Sequence, residues 1–243
     1  LVGSEMCIRD RLCRGILMKE PVFVSPAEIA ASKAAAKRVK DEVYDLGLTY
    51  HIESYGCQMN EHDSEKIAGM MEEMGYAKAE DKSKADFIIF NTCCIREHAE
   101  QRVYGNIGAL KKRKDENPQL MIGVCGCMMQ QKDAGRKLFK RFPFVDIVFG
   151  TNELHRFPLL FEEAYHGERT LQVRDMDGEI AEGLPVCRNS TFSTFTNITY
   201  GCNNFCSYCI VPYVRGRERS RNSADIVNEV KGLALAGFKA VSY

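Results

Sequence analysis

The sequence predicts an α/β fold in which a parallel sheet forms the first of two units. Short apolar runs alternate with helical patterns over residues 49–167, which is typical of parallel strands covered by helices on both faces. Residues 168–187 contain several Asp and Gly residues and predict a hairpin or linker. Residues 188–243 then open a second unit with a strand, a long loop and a helix.

The first unit is predicted to contain four strands and four helices. The strands cover residues 50–55, 86–91, 120–125 and 145–149, and the helices cover residues 61–74, 96–116, 129–141 and 153–165. Ile67, Met70, Met71 and Met74 share one face of the first of these helices, which favours a core position over contact with a cofactor. In the second unit we expect a strand at 195–200, a loop at 202–220 and a helix at 223–236.

Both ends of the chain are expected to be atypical. Residues 1–48 form an N-terminal extension, and residues 1–12 have no helix or strand period and resemble translated sequencing-adapter sequence. The chain opens with Leu1, so Met18 is a candidate natural start. Residues 27–46 predict a helix that packs loosely. An apolar run begins at Phe238, so we expect the chain to stop inside a strand.

The composition limits the classes of protein that this chain could be. Its 243 residues carry no net charge, so any contact with nucleic acid must use local patches. We see neither an apolar run of membrane-spanning length nor a signal peptide, and we therefore expect a cytoplasmic protein, taken as a monomer. In that setting its 11 cysteines indicate metal binding or redox chemistry rather than disulfides.

Three cysteines lie close together in the predicted loop of the second unit. Cys202, Cys206 and Cys209 follow a strand, and three thiolates can hold three corners of a 4Fe-4S cubane while one iron stays open. The spacing resembles the radical-SAM signature, as does Tyr208 before the third cysteine. The alternatives are surface cysteines or a zinc site, which would need a fourth Cys or His nearby.

Three further cysteines are distant in sequence, but each follows a predicted strand. Cys57, Cys93 and Cys127 are separated by one strand–helix unit each, and the carboxyl ends of parallel strands share one edge of a sheet. We therefore expect a second three-thiolate site at this edge. Cys94 could compete with Cys93, whereas Cys125 still belongs to its strand and is expected to be a small buried residue.

Several short motifs resemble the MiaB branch of the radical-SAM methylthiotransferase family. The resemblance runs from about Thr49 to Tyr243. The motifs are Gly56-Cys57-Gln58-Met59-Asn60 with Asp63-Ser64-Glu65, Asn91-Thr92-Cys93 with Ile95-Arg96-Glu97, Gly126-Cys127, Tyr200-Gly201-Cys202-Asn203, and Val211-Pro212-Tyr213-x-Arg215-Gly216. The family's ligands match Cys57, Cys93 and Cys127 for an auxiliary 4Fe-4S cluster.

The resemblance implies a fold, an activity and its cofactors. It implies a Rossmann- or flavodoxin-like first domain followed by the start of a radical-SAM partial β/α barrel. Because members of the family continue through the rest of that barrel, we expect this chain to be inactive as a fragment. It further implies methylthiolation of carbon 2 of isopentenyl-adenosine at tRNA position 37, with two 4Fe-4S clusters and S-adenosylmethionine. The implied partners are tRNA, an electron donor such as flavodoxin or ferredoxin, and a sulfur source.

Four arginines at alternate positions follow the second cysteine triplet. They are Arg215, Arg217, Arg219 and Arg221. Arginine suits contact with phosphate and carboxylate groups, so we place Arg215, Arg217 and Tyr208 near S-adenosylmethionine or the substrate. The alternative is a solvated charged loop.

Two other functions compete with this interpretation. Relatives within the family modify threonylcarbamoyl-adenosine in tRNA or an aspartate of a ribosomal protein. A different class is a non-catalytic Fe–S or zinc module that binds RNA, which would have a single metal site and would not cleave S-adenosylmethionine.

Overall fold

A six-stranded parallel sheet forms the centre of the first unit. The structure, a computed structural model, describes residues 21–94, 97–174 and 178–243. The strands are β1 (Thr49–Ser54), β2 (Ala77–Lys78), β3 (Phe87–Thr92), β4 (Met121–Gly126), β5 (Ile147–Phe149) and β6 (Thr170–Gln172), in the order β2-β1-β3-β4-β5-β6. All pairs are parallel, so the predicted fold class is confirmed. The artefact expected at residues 1–12 and the start expected at Met18 lie outside the described residues.

Helices cover both faces of this sheet. The helices are α1 (Pro26–Glu42), α2 (Gln58–Glu73), α3 (Glu97–Ala109), α4 (Lys111–Glu116), α5 (Cys127–Gln130), α6 (Ala134–Arg141) and α7 (Phe157–Tyr165). Alternate residues of β3 point to opposite faces, so Phe87 and Ile89 join the core under α1, α2 and α7. Ile88 and Phe90 join the core under α3 and α6. The four residues of the predicted Met stripe on α2 are all buried in the first of these cores, which confirms their structural role.

The expectation that the N-terminal helix packs loosely was wrong. Helix α1 buries Ala35, Ala36 and Val39 completely or nearly so, and it packs along α7. Ser25 and Glu28 form a reciprocal capping box that begins the helix. The extension therefore belongs to the core of the first unit.

Three predicted helices are interrupted. The predicted helix 96–116 is divided into α3 and α4, and the helix 129–141 into α5 and α6, where Asp133 has a φ of 60°. The helix 153–165 begins with a 3-10 turn, Thr151–Arg156, and becomes α-helical at Phe157. Pro158 lies in the first turn of α7, where its missing N–H costs no helical hydrogen bond.

Two predictions for the second half were also wrong. Residues 170–172 do not fold back as a hairpin but form β6, parallel to β5, so the sheet continues beyond residue 167. The predicted strand 195–200 is two strands, β7 (Ser193–Phe195) and β8 (Thr199–Tyr200), which pair in different sheets.

The second unit begins with a parallel strand–helix–strand arrangement. Strand β7 pairs with β10 (Ala240–Ser242), and α9 (Ser223–Leu235) connects them. Strand β8 pairs antiparallel with β9 (Arg219–Ser220), so the two ends of the cysteine loop meet. The loop contains a short helix, α8 (Val211–Val214). Of the helices in the described parts of the chain, none has the length and apolar character needed to cross a membrane.

Candidate metal centres

The structure places Cys57, Cys93 and Cys127 at one edge of the sheet. Cys57 precedes α2 just after β1, Cys93 follows β3, and Cys127 is the first residue of α5 directly after β4. These strands are neighbours, so their carboxyl ends meet. The amide oxygen of Asn60 lies 3.8 Å from the sulfur of Cys57 and 3.7 Å from that of Cys127. We call these three cysteines the first triplet; their role as ligands remains a prediction.

Two glycines let the backbone approach closely at this edge. A Cβ atom at Gly56 would lie 2.9 Å from the sulfur of Cys93. At Gly126, with a φ of +97°, a Cβ atom would lie 2.4 Å from the carbonyl oxygen of Thr92. Neither position has space for a side chain, so both glycines are needed to bring the three strand ends together.

A buried amide pair fixes the edge between β3 and α2. The side-chain nitrogen of Asn60 donates to the carbonyl oxygen of Thr92 at 2.9 Å. The side-chain nitrogen of Asn91 donates to the backbone oxygen of Asn60 at 2.8 Å and to the hydroxyl of Ser64 at 2.9 Å. Since buried polar groups are costly when unpaired, this network gives the edge one defined arrangement.

The two remaining cysteines of this region differ in their surroundings. Cys125 is 2% exposed and packs in the apolar core, and burial raises the pKa of its thiol well above the ordinary value. Cys94 donates a hydrogen bond to Cys127, which raises the pKa of Cys94 and lowers that of Cys127. Cys94 thus lies at the same edge as Cys93, and the geometry leaves both as possible ligands.

Arg215 reaches from the second unit into the first triplet. Its guanidinium is buried and donates to Asp63 at 2.5 Å, to the sulfur of Cys127 at 3.2 Å and to the amide oxygen of Asn60 at 3.3 Å. Burial alone would lower the pKa of Arg215, but Asp63 and Cys127 outweigh it and raise that pKa above its ordinary value. The alternative of a solvated loop arginine was therefore wrong at this position.

The other residues of the arginine series have separate surroundings. The guanidinium of Arg217 lies over the ring of Phe205, 5.3 Å from its centroid. Arg219 donates to the backbone oxygen of Arg215 at 3.1 Å. Arg221 pairs with Glu182 and Glu229. Tyr208 is 90% exposed, so its predicted place beside a bound small molecule rests on the resemblance alone.

The second triplet lies in the loop between β8 and β9. Cys206 is exposed, and Cys202 and Cys209 are half-buried. The N–H of Cys209 donates to the carbonyl oxygen of Cys206 at 2.9 Å, and Phe205 between the first two cysteines has a φ of 45°. This hydrogen bond and the turn at Phe205 keep the three cysteines within one compact loop.

The chemistry of the donors fits iron–sulfur clusters better than single zinc ions. All six cysteines of the two triplets are free thiols. A cubane binds each of three thiolates to a different iron and leaves its fourth iron open. A structural zinc site takes four protein ligands, and each triplet offers three.

A separate group of ligand-type side chains lies where α1 begins. Ligand atoms of Glu28, His155 and Glu179 come within 4.8 Å of one another. Arg174 lies 4.0 Å from Glu179, and the positive charges of Arg174 and Arg156 act on His155. A cation would compete with these two guanidinium groups, so we assign no metal to this group.

The sequence did not assign roles to the buried polar residues of α2. Asn60 and Asp63 contact the first triplet or its arginine. Both occur in the motifs that carry the family resemblance, which was the available signal. Hydrophobic periodicity could not have identified Asn60 and Asp63, because both side chains are polar although they are buried.

Comparison with known proteins finds one domain family and several named relatives. The fold and the site define the class as an α/β protein with free thiols at one edge of its sheet. Residues 49–150 match Uncharacterized protein family UPF0004. A Caldicellulosiruptor saccharolyticus protein named tRNA-2-methylthio-N(6)-dimethylallyladenosine synthase is 57% identical over 195 residues, which are 80% of this chain and 41% of that protein. A Clostridium tetani protein of the same name is 55% identical over 195 residues, 80% of this chain and 43% of that protein. About 80% of this chain is thus similar to proteins named tRNA-2-methylthio-N(6)-dimethylallyladenosine synthase, and its residues 49–150 form a UPF0004 domain.

The chain spans less than half of the length of these relatives. A Clostridium botulinum protein with the same name matches over 207 residues at 49% identity, which is 85% of this chain and 45% of that protein. The UPF0004 match, residues 49–150, contains the sheet edge described above.

Proposed function

We propose that the protein carrying this sequence is a radical-SAM tRNA-2-methylthio-N(6)-dimethylallyladenosine synthase. The relatives of that name support the proposal. The observation that carries it in this chain is the position of Cys57, Cys93 and Cys127 at the ends of three adjacent strands. A radical enzyme without an auxiliary centre would need only the second triplet.

Each triplet would hold one 4Fe-4S cluster. Cys202, Cys206 and Cys209 would bind three irons of the cluster that faces S-adenosylmethionine, and Cys57, Cys93 and Cys127 would bind three irons of an auxiliary cluster. When bound, such clusters supply the electron that cleaves S-adenosylmethionine and the sulfur for the methylthio group.

The remaining partners follow from the same chemistry. The substrate would be isopentenyl-adenosine at position 37 of a tRNA. An electron donor such as flavodoxin or ferredoxin and a sulfur source would also be needed. We propose that the protein works in the cytoplasm as a monomer.

The first test counts iron and sulfide in the anaerobically reconstituted chain. We expect about eight irons per chain from two cubanes and about four after either triplet is replaced by alanine. Cys125→Ala and Cys187→Ala are matched controls and should keep about eight. Single Cys93→Ala and Cys94→Ala variants identify which of the two is the ligand. Four or fewer irons in the unmodified chain would contradict the two-cluster proposal.

The second test measures the activity in a protein of the relatives' length. In the Caldicellulosiruptor saccharolyticus relative, this chain replaces the segment that it matches, and the hybrid is assayed by mass spectrometry on tRNA with isopentenyl-adenosine. We expect the hybrid to add a methylthio group, and replacement of either triplet to abolish the addition. Modification only of threonylcarbamoyl-adenosine, or only of a ribosomal protein, would support the sister activities. Iron binding without cleavage of S-adenosylmethionine would support a non-catalytic module.

A further inference from the structure

Arg215 contacts the first triplet with its side chain and the second triplet through its neighbour in the backbone. The guanidinium contacts Cys127, as described above. The next residue, Gly216, accepts a hydrogen bond of 3.2 Å at its carbonyl oxygen from the N–H of Cys202. One residue pair therefore joins a cysteine of each triplet.

The backbone part of this connection is closely packed. Gly201 has a φ of +71°, and a Cβ atom there would lie 2.4 Å from the carbonyl oxygen of Gly216. The side-chain oxygen of Asn203 accepts a hydrogen bond from the N–H of Glu218 at 3.1 Å. The loop that holds the second triplet thus begins against residues 216–218, and it cannot shift without moving them.

The side-chain contacts of residue 215 require the planar guanidinium group of an arginine. A buried guanidinium is costly unless its N–H groups find partners, and here they meet a carboxylate, an amide oxygen and a sulfur. Asp63 and Asn60 belong to α2, whereas Cys127 begins α5. A lysine carries one ammonium group and could not occupy these three directions together.

We propose that Arg215 is a positioning residue that fixes the second triplet at one spacing from the first. The inference rests on the proposed function, in which both triplets hold clusters that act on one substrate. Asp63 anchors the guanidinium, and the backbone from Arg215 to the carbonyl group of Gly216 transmits its position to Cys202. Loss of this anchor would leave both sets of thiols intact but allow the loop to move relative to the sheet.

The first experiment uses the metal-free chain and does not depend on clusters. Hydrogen exchange is compared in the unmodified chain, in Arg215→Lys and in Asp63→Asn. We expect exchange of the Cys202 amide to accelerate at least about tenfold in both variants, because its partner Gly216 is released. Slow exchange of β3 and β4 verifies that each variant is folded.

The control is Arg136→Gln, which changes an arginine whose side chain is 82% exposed on α6. Its exchange at Cys202 should equal that of the unmodified chain. If Arg215→Lys and Asp63→Asn also leave this amide unchanged while folded, the positioning role is contradicted.

The second experiment measures the spacing between the reduced clusters by pulsed electron paramagnetic resonance. We expect one defined dipolar coupling in the unmodified chain and a broadened distribution in Arg215→Lys, with iron content unchanged at about eight. A coupling that stays sharp in Arg215→Lys would overturn the inference. Four or fewer irons in the unmodified chain would instead count against the proposed function, and the exchange experiment would then decide on Arg215 by itself.

Discussion

At the scale of single residues, the buried polar side chains are as informative as the cysteines. His155 is 3% exposed and its Nε2 atom has no hydrogen-bond partner among the described residues. Burial lowers the pKa of His155 to about 4; Glu28 opposes this shift, and Arg174 and Arg156 add to it. The imidazole is therefore neutral in the folded chain at pH 7.

The lowered pKa of His155 predicts a loss of stability in acid. Below pH 6.5 the unfolded chain takes up a proton that the folded chain binds only near pH 4, so the free energy of unfolding falls as the pH falls through this window. We expect His155 to contribute a loss of about 2 kcal/mol between pH 6.5 and 4.5. Urea unfolding is measured at several pH values for the metal-free chain and for His155→Gln. The contribution of His155 is the difference between the pH dependences of the two free energies of unfolding. Parallel curves for the two proteins would contradict the prediction.

At the scale of elements, α2 is held on two sides. Its apolar face packs on the sheet, and its other side contacts the segment that leads into the second unit. The N–H of Cys187 donates to the backbone oxygen of Glu65 at 2.9 Å. Gly69 lies in the same contact, and a Cβ atom there would lie 2.6 Å from the backbone of Pro185. The close approach depends on the missing side chain.

This contact reverses the usual effect of replacing a helical glycine by alanine. Gly105→Ala in α3 has open space around it and should stabilise the chain by about 0.5–1 kcal/mol. Gly69→Ala gains the same helical propensity but meets backbone that cannot move away, so we expect a net loss of about 1–3 kcal/mol. Denaturant unfolding of the two variants gives both values. Stabilisation by Gly69→Ala would mean that α2 and residue 185 are not in contact.

At the scale of the whole molecule, the two units differ in how they are stabilised. Strands β3 and β4 are buried along their full length and have neighbours on both sides. Among the described residues, strands β7 and β10 pair only with each other, and α9 buries Leu233 while Leu235 remains 90% exposed. Ion pairs of Arg188 and Arg221 with acidic side chains connect α9 to the rest of the chain.

We therefore expect the two units to open separately. Amides of β3 and β4 should exchange more slowly than those of β7 and β10 by on the order of 100-fold, which corresponds to about 3 kcal/mol in opening free energy. Hydrogen exchange with mass spectrometry of the metal-free chain measures this difference. Equal protection of both regions would indicate a single cooperative unit instead.

The sequence predicted those features that follow from local patterns. Apolar runs located the strands of the parallel sheet, and strand ends located Cys57, Cys93 and Cys127. It did not predict β6 or the divided helices, since a three-residue strand and a turn at Asp133 leave no periodic signal. Nor could the sequence predict that Arg215 is buried, because its burial depends on contact with Asp63, which is 152 positions away along the chain.

The different construction of the two triplets has a consequence for how metal and folding are linked. Cys57, Cys93 and Cys127 come together only when β1, β3 and β4 have paired, so a metal bound there binds the folded chain far better than the unfolded one and shifts the folding equilibrium by mass action. Residues 202–209 offer their three thiols even in an open chain, which weakens that shift. A metal at the sheet edge would thus add stability to a sheet that also folds without it, whereas the local loop could bind metal before any strand has formed.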